Sequence, residues 1–172
     1  MMDDASAIEK CRKGEKEAFG YLVERYQTQA VGHSIAILGN REDARDAVQE
    51  AFIDAFQAIK SFDTTRRFYP WFYVLLRNRC FKMAARRKSS ESVEETEILA
   101  PQPNVSREET LALESALHDL SMEDRELITL KYLDGLSYEE LSERLEIPKG
   151  TVMSRLFYAR KQMQAKLTGK FH

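Results

Sequence analysis

Hydrophobic positions recur at helical spacing along most of the chain. Phe19, Leu22, Val23, Tyr26, Ala30 and Val31 fall three and four residues apart and trace one apolar stripe. Ala44, Ala47, Val48, Ala51, Phe52, Ala55 and Ile59 trace a second. Between the two, Gly39 suits the end of one helix, and Asn40 suits the cap of the next, with Glu42 and Asp43 in its first turn. The opposite face of that second helix carries Asp46, Gln49, Glu50, Ile53 and Gln57. An isoleucine on an otherwise polar face fits a protein interface. Pro70 suits the first position of a third helix, Trp71 to Met83, aromatic at its start and basic toward its end. Trp71, Phe72 and Leu75 are expected to face the core.

The C-terminal third follows the same rule with sharper punctuation. Ser121-Met122-Glu123-Asp124 and Ser137-Tyr138-Glu139-Glu140 both read as capped helix starts. The second opens a short helix with Leu141 and Leu145 inward, which stops before Ile147-Pro148 because proline disfavours helix in the residue ahead of it. A further helix follows, with Val152, Leu156, Ala159 and Met163 inward. Two helices joined by a tight turn, the first acidic and the second basic, predict a helix-turn-helix. Between the halves, Ser89 to Arg107 combines serines, acids, Pro101 and Pro103 with little periodicity. The pattern predicts an all-α protein of two small helical domains, residues 1–88 and 108–172, joined by a flexible acidic linker at 89–107.

Composition changes the picture only when charge is read locally. The 172 residues carry 26 Lys and Arg against 28 Asp and Glu, and the resulting net charge of −2 discourages a nucleic-acid role. Residues 61–88, however, hold eight bases and one acid, a net +7, and residues 147–172 hold six bases and no acid. Residues 89–126 hold eleven acids and two bases, a net −9. Two basic blocks around an acidic centre are a partner signal that the total conceals.

Candidate chemistry follows those blocks. In the predicted recognition helix, Thr151, Ser154 and Arg155 stand where side chains reach base edges or phosphates, and Lys149, Arg160 and Lys161 where they neutralise phosphates. Met153, Phe157 and Tyr158 also face outward or flank that surface. From Ser61 to Arg79, aromatics interleave with arginines, a combination that suits single-stranded nucleic acid, in which bases stack on rings or guanidinium planes. Arg66, Arg67, Asn78, Arg79 and Lys82 are the expected contacts there. Asp43, Asp46 and Glu50 share a helix face, but no histidine or further carboxylate completes a metal or catalytic set. Cys11 and Cys80 are far apart and read as free buried thiols of a reducing cytosol. No window approaches a membrane span, and the acidic Met1-Met2-Asp3-Asp4 start is not a secretory signal. Catalytic residues, metal and cofactor are all expected to be none.

Three ordered motifs carry a family resemblance: Asn40-Arg41-Glu42-Asp43-Ala44-x-Asp46-Ala47-Val48-Gln49-Glu50-Ala51-Phe52, then Pro70-Trp71-Phe72-Tyr73-x-Leu75-x-Arg77-Asn78, then Leu136-Ser137-Tyr138-Glu139-Glu140-Leu141 with Gly150-Thr151-Val152-Met153-Ser154-Arg155-Leu156 and Ala159-Arg160. Together they resemble the extracytoplasmic-function sigma factors of bacteria, small sigma-70-family subunits that direct RNA polymerase to promoters. The resemblance implies that the face of Asp46, Gln49, Glu50, Ile53 and Gln57 docks on core RNA polymerase. It implies that the loop from Ser61 and the helix after it, through Arg66, Arg67, Trp71, Arg77, Asn78, Arg79 and Lys82, capture and melt the −10 element. It implies that Lys149, Thr151, Ser154, Arg155, Tyr158, Arg160 and Lys161 read the −35 element of promoter DNA as duplex. The acidic linker is similar to the family segment that runs through the polymerase channel. A membrane-associated anti-sigma factor is a further partner of the family, and a cytoplasmic protein without membrane insertion is expected. Two departures bear on promoter preference: Leu75-Leu76 where the family commonly has Ile-Ala, and Tyr158 where it often has arginine. The rival readings are a stand-alone helix-turn-helix regulator, which binds an operator without polymerase, and a small metal-dependent helical hydrolase.

Overall fold

The computed structural model describes residues 2–88 and 107–169. The chain divides into two compact units, Met1–Glu95 and Thr96–His172. The predicted linker lies outside the described residues except for Arg107, which instead opens a helix.

The first unit contains α1 (Asp4–Arg12), α2 (Phe19–Leu38), α3 (Arg41–Ala58) and α4 (Phe68–Lys88), with short 3-10 turns at Lys16–Ala18 and Ile59–Ser61. Asp3 caps α1 by accepting from the Ser6 amide, a start that the apolar pattern did not announce. Gly39 ends α2 in the left-handed conformation (φ 71°), and the Asn40 side chain accepts from the Asp43 amide at 2.9 Å. A glycine stop followed by an asparagine cap reverses the chain in two residues, so α2 and α3 pack side by side.

Every inward position read from α3 is buried: Ala44, Ala47, Val48, Ala51, Phe52 and Ala55, with Ile59 just beyond. The alanines let α4 approach closely, and its rings fill the remaining volume. Phe72 stacks on Phe52 (4.3 Å between centroids) and on Phe68 (5.7 Å). Pro70 is not the first helical residue but the third, since α4 starts at Phe68. The proline is tolerated there because amides of the first turn have no helical acceptor. Leu75 is half-exposed, and it is Leu76 that is fully buried. The buried His33 places Nδ1 2.6 Å from the Tyr69 hydroxyl, satisfying two polar groups inside an aromatic cluster.

The second unit contains α5 (Arg107–His118), α6 (Met122–Tyr132), α7 (Tyr138–Leu145) and α8 (Lys149–Thr168). Helix α8 packs on the other three. Its core is aliphatic: Leu127, Leu130, Leu141, Val152 and Leu156 are buried. Ser137 and Glu140 form a reciprocal capping box at the start of α7. Glu146 ends α7 at φ 54°, and the turn is tied by the Ser142 hydroxyl donating to the Ile147 carbonyl at 2.6 Å. Pro148 caps α8. This is the predicted helix-turn-helix.

Candidate protein and nucleic-acid interfaces

Three surfaces emerge, each built on a different support. The first lies along α3. Asp46, Gln49, Ile53 and Gln57 are exposed and Glu50 is half-exposed. Ile53 leaves 49% of its surface in solvent although the face around it is polar. It borders an apolar groove of about 750 Å³ between α2 and α3, lined by Phe19, Val23, Val48, Phe52 and Phe56, with Gln49 and Gln57 at the rim. Sequence reading placed the rim of this surface but missed the groove. Only the side-by-side packing of α2 and α3 reveals that Val23 and Phe56 share one depression.

The second surface is the loop from Phe62 and the outer face of α4. The loop is a built structure. The Asp63 carboxylate accepts from the Thr65 amide (2.9 Å) and hydroxyl (2.7 Å), which hold it below the usual carboxylate range. The Arg66 amide donates to the Asp63 carbonyl at 3.0 Å, closing a turn. From α1, the Arg12 guanidinium donates to the Ile59 and Phe62 carbonyls and anchors the loop's entrance. Phe62 is buried against Trp71 (4.7 Å) and Phe68 (6.1 Å). The turn leaves Arg66 and Arg67 exposed.

On α4, positions advance by about 100° per residue. Trp71, Val74, Asn78 and Lys82 therefore form one outward stripe, with Trp71 half-buried and the others exposed. Arg77 and Arg79, grouped together by sequence, fall on opposite flanks. Arg77 stacks over the Phe81 ring at 4.3 Å. Arg79 makes a fork to Asp54 (Nε and a terminal nitrogen, both 2.6 Å) and reaches Glu50 at 3.0 Å. Arg79 thus ties α4 to α3, and the pairing holds the Asp54 carboxyl below its ordinary value. Arg87 pairs with Asp43 at 2.6 Å. Of the carboxylates considered as a metal set, Asp43 and Glu50 therefore serve α3–α4 ion pairs. Among the described residues no cluster of three His, Cys, Asp or Glu is placed to hold a metal.

The third surface is α8. Val152, Leu156 and Ala159 face the core, leaving Ser154 and Lys161 at the centre of the outward face. The bases expected to contact DNA differ in their freedom. Arg155 donates to Asp124 of α6 at 2.9 and 2.8 Å. Arg160 reaches the Tyr132 hydroxyl at 3.1 Å and the Leu156 carbonyl at 3.3 Å. Lys149 donates to Glu139, which lowers that carboxyl's pKa. Met153, Phe157 and Tyr158 are exposed large apolar side chains.

Comparison with known proteins decides what these surfaces belong to. The sigma-70 region 2 profile matches residues 22–90, and the sigma-70 region 4 profile matches residues 110–163. The ECF RNA polymerase sigma-E factor of Escherichia coli K12 is 36% identical over 96% of this chain and 95% of its own. The chain belongs to the extracytoplasmic-function sigma factors of the sigma-70 family. As a sigma factor it acts with core RNA polymerase to select promoters, and the paired regions favour that role over a stand-alone regulator. The fold agrees with that of CnrH, solved in complex with the cytosolic domain of CnrY (TM-score 0.72, 25% identity, 96% of this chain and 97% of the other). The first unit of this sigma factor is also similar to an engineered region 2 of sigmaE solved in complex with GTAAAA (TM-score 0.50, 32% identity, 54% of this chain and 96% of the other). No described helix of the sigma factor is long and apolar enough to cross a membrane.

Proposed function

We propose that the three surfaces divide the work of promoter opening between them. The groove edge of α3, through Asp46, Gln49, Glu50, Ile53 and Gln57, docks on core polymerase. The Phe62–Arg67 loop and the stripe of Trp71, Asn78 and Lys82 receive the melted −10 strand, with Arg66 and Arg67 on its phosphates. Arg77 and Arg79 flank that stripe and support it, Arg79 through Asp54. In the second unit, Thr151, Ser154, Tyr158 and Lys161 meet the −35 duplex, while Lys149, Arg155 and Arg160 sit at its margins near phosphates. Carrying both contacts on one chain raises the effective concentration of the second once the first is made.

The observation that carries this reading is Ile53, half in solvent at the edge of an apolar groove on a polar face. Such a face is incomplete without a protein partner. The likeness to a region 2 solved with GTAAAA supports the −10 assignment. The chain performs no catalysis of its own and works in the bacterial cytoplasm, where polymerase makes the phosphodiester bond. An anti-sigma factor is a further partner.

The test is reconstitution. Added to core polymerase and a genomic promoter library, the protein should create start sites that core alone lacks. Ile53→Asp should weaken core association by about tenfold or more, and Asp46→Ala should weaken it less. A library without new start sites overturns the reading, and an unchanged affinity of Ile53→Asp overturns the docking surface.

A further inference from the structure

We infer that Met153, Phe157 and Tyr158 form an apolar edge on α8 that reads thymine 5-methyl groups in the −35 duplex. The inference rests on the proposal that α8 enters that duplex and adds how it discriminates there.

The first support is placement. At about 100° per residue, Met153 and Phe157 stand one above the other, as do Ser154 and Tyr158, all away from the buried Val152, Leu156 and Ala159. Their exposures are 48% for Met153, 55% for Phe157 and 67% for Tyr158. Phe157 and Tyr158 meet edge to face at 5.4 Å, so the two rings form a preset wedge. All three lie in the first three turns of the helix, the part of a recognition helix that reaches base edges.

The second support is what the bases are doing. Guanine is read best by a free arginine fork. The Arg155 guanidinium is engaged by Asp124, Arg160 lies against Tyr132, and Lys149 is paired with Glu139. Apart from Lys161, a point charge suited to phosphate, the outward centre is therefore left with hydroxyls and apolar surface. Thymine is the one standard base that presents a methyl group in the major groove, and apolar side chains are its matching reader. The Ser154 hydroxyl donates to the Thr151 carbonyl at 3.1 Å and keeps its lone pairs to accept from a neighbouring base, and Thr151 adds a second hydroxyl. Gly150 agrees: a Cβ there would meet nothing within 4 Å, so the fold does not require glycine, yet the helix accepts its cost. A bare backbone at this place leaves room for close approach to DNA.

The experiment uses the full chain with core polymerase at subsaturating concentration. Initiation is measured on a responsive promoter in which each −35 thymine, on either strand, is replaced singly by deoxyuridine, which lacks only the methyl group. A template with a scrambled −35 element is run beside it. At one or more positions the wild-type protein should lose about fourfold, the value of one buried methyl. Met153→Ala, Phe157→Ala or Tyr158→Ala should bring the thymine-to-deoxyuridine ratio there close to one. Equal initiation from thymine and deoxyuridine at every position, with the scrambled template inactive, overturns the methyl reading and leaves α8 as the −35 contact. An active scrambled template removes the underlying assignment of α8 instead. If Phe157→Ala weakens core polymerase binding while the ratio keeps its wild-type value, the patch is a protein contact and the inference fails.

Discussion

Helices α4 and α8 are the two basic helices of this protein, and they use aromatic rings in opposite ways. In α4 the rings other than the half-buried Trp71 are mainly structural. Phe68, Tyr69, Phe72 and Tyr73 are buried, and they bind the helix to α2 and α3 through stacked and edge contacts. In α8 the rings are outside, and an aliphatic seam of Val152 and Leu156 holds the helix in place. A basic, aromatic helix thus has no single meaning. What decides is whether the ring positions coincide with the inward face, and in α8 Phe157 and Tyr158 do not.

The sharpest way to break this contrast is to remove one ring from each helix. Phe72→Ala should cost about 3–5 kcal/mol because it opens a cavity between Phe52 and Phe68. Phe157→Ala should stay within about 0.5 kcal/mol. Denaturant unfolding of the two variants checks both, and equal losses would refute the division into structural and exposed rings.

Next in size are the local supports. Ser137→Ala removes the capping box in front of the helix-turn-helix and should cost about 1 kcal/mol. Hydrogen exchange should then rise in α7 before it rises in α3 or α4. The Arg79–Asp54 fork should show a coupling of about 1 kcal/mol or less in a double-mutant cycle, because both side chains are more than a quarter exposed. A coupling of zero would mean that the fork adds nothing to the hold that the rings and the Arg87–Asp43 pair already have on α4.

The smallest effect is a pH dependence. Arg79 lowers the folded-state pKa of Asp54 below its unfolded value. The stabilisation is therefore complete above the ordinary carboxylate pKa and is lost as pH falls through the lowered value. Asp54→Asn should flatten the acid limb of the first unit's stability curve and change nothing near neutrality beyond the pair itself. An acid limb unchanged in Asp54→Asn would assign it to other carboxylates.

Much of this was legible in one dimension. The inward faces of α3 and α8 follow from residue spacing, and the caps at Asn40, Ser121 and Ser137 follow from residue type. Both are local properties of a helix, so the chain's order suffices to state them. The positions of α1 and α5 were not read, α1 because a nine-residue segment rich in charge gives a weak apolar signal, and α5 because it opens directly from the acidic linker. Pro70 suggested a helix start two residues late, since proline is compatible with the whole first turn and does not mark its beginning.

What the sequence by itself determined is a pair of helical units with two basic faces, because periodicity, capping chemistry and charge are all carried by neighbours in the chain. Tertiary structure alone decided which of those basic residues are available. Arg79 finds Asp54 25 residues away, and Arg155 finds Asp124 31 residues away. Those pairings depend on how helices pack. They give Arg79 and Arg155 partners within the fold, while Met153, Phe157 and Tyr158 face outward.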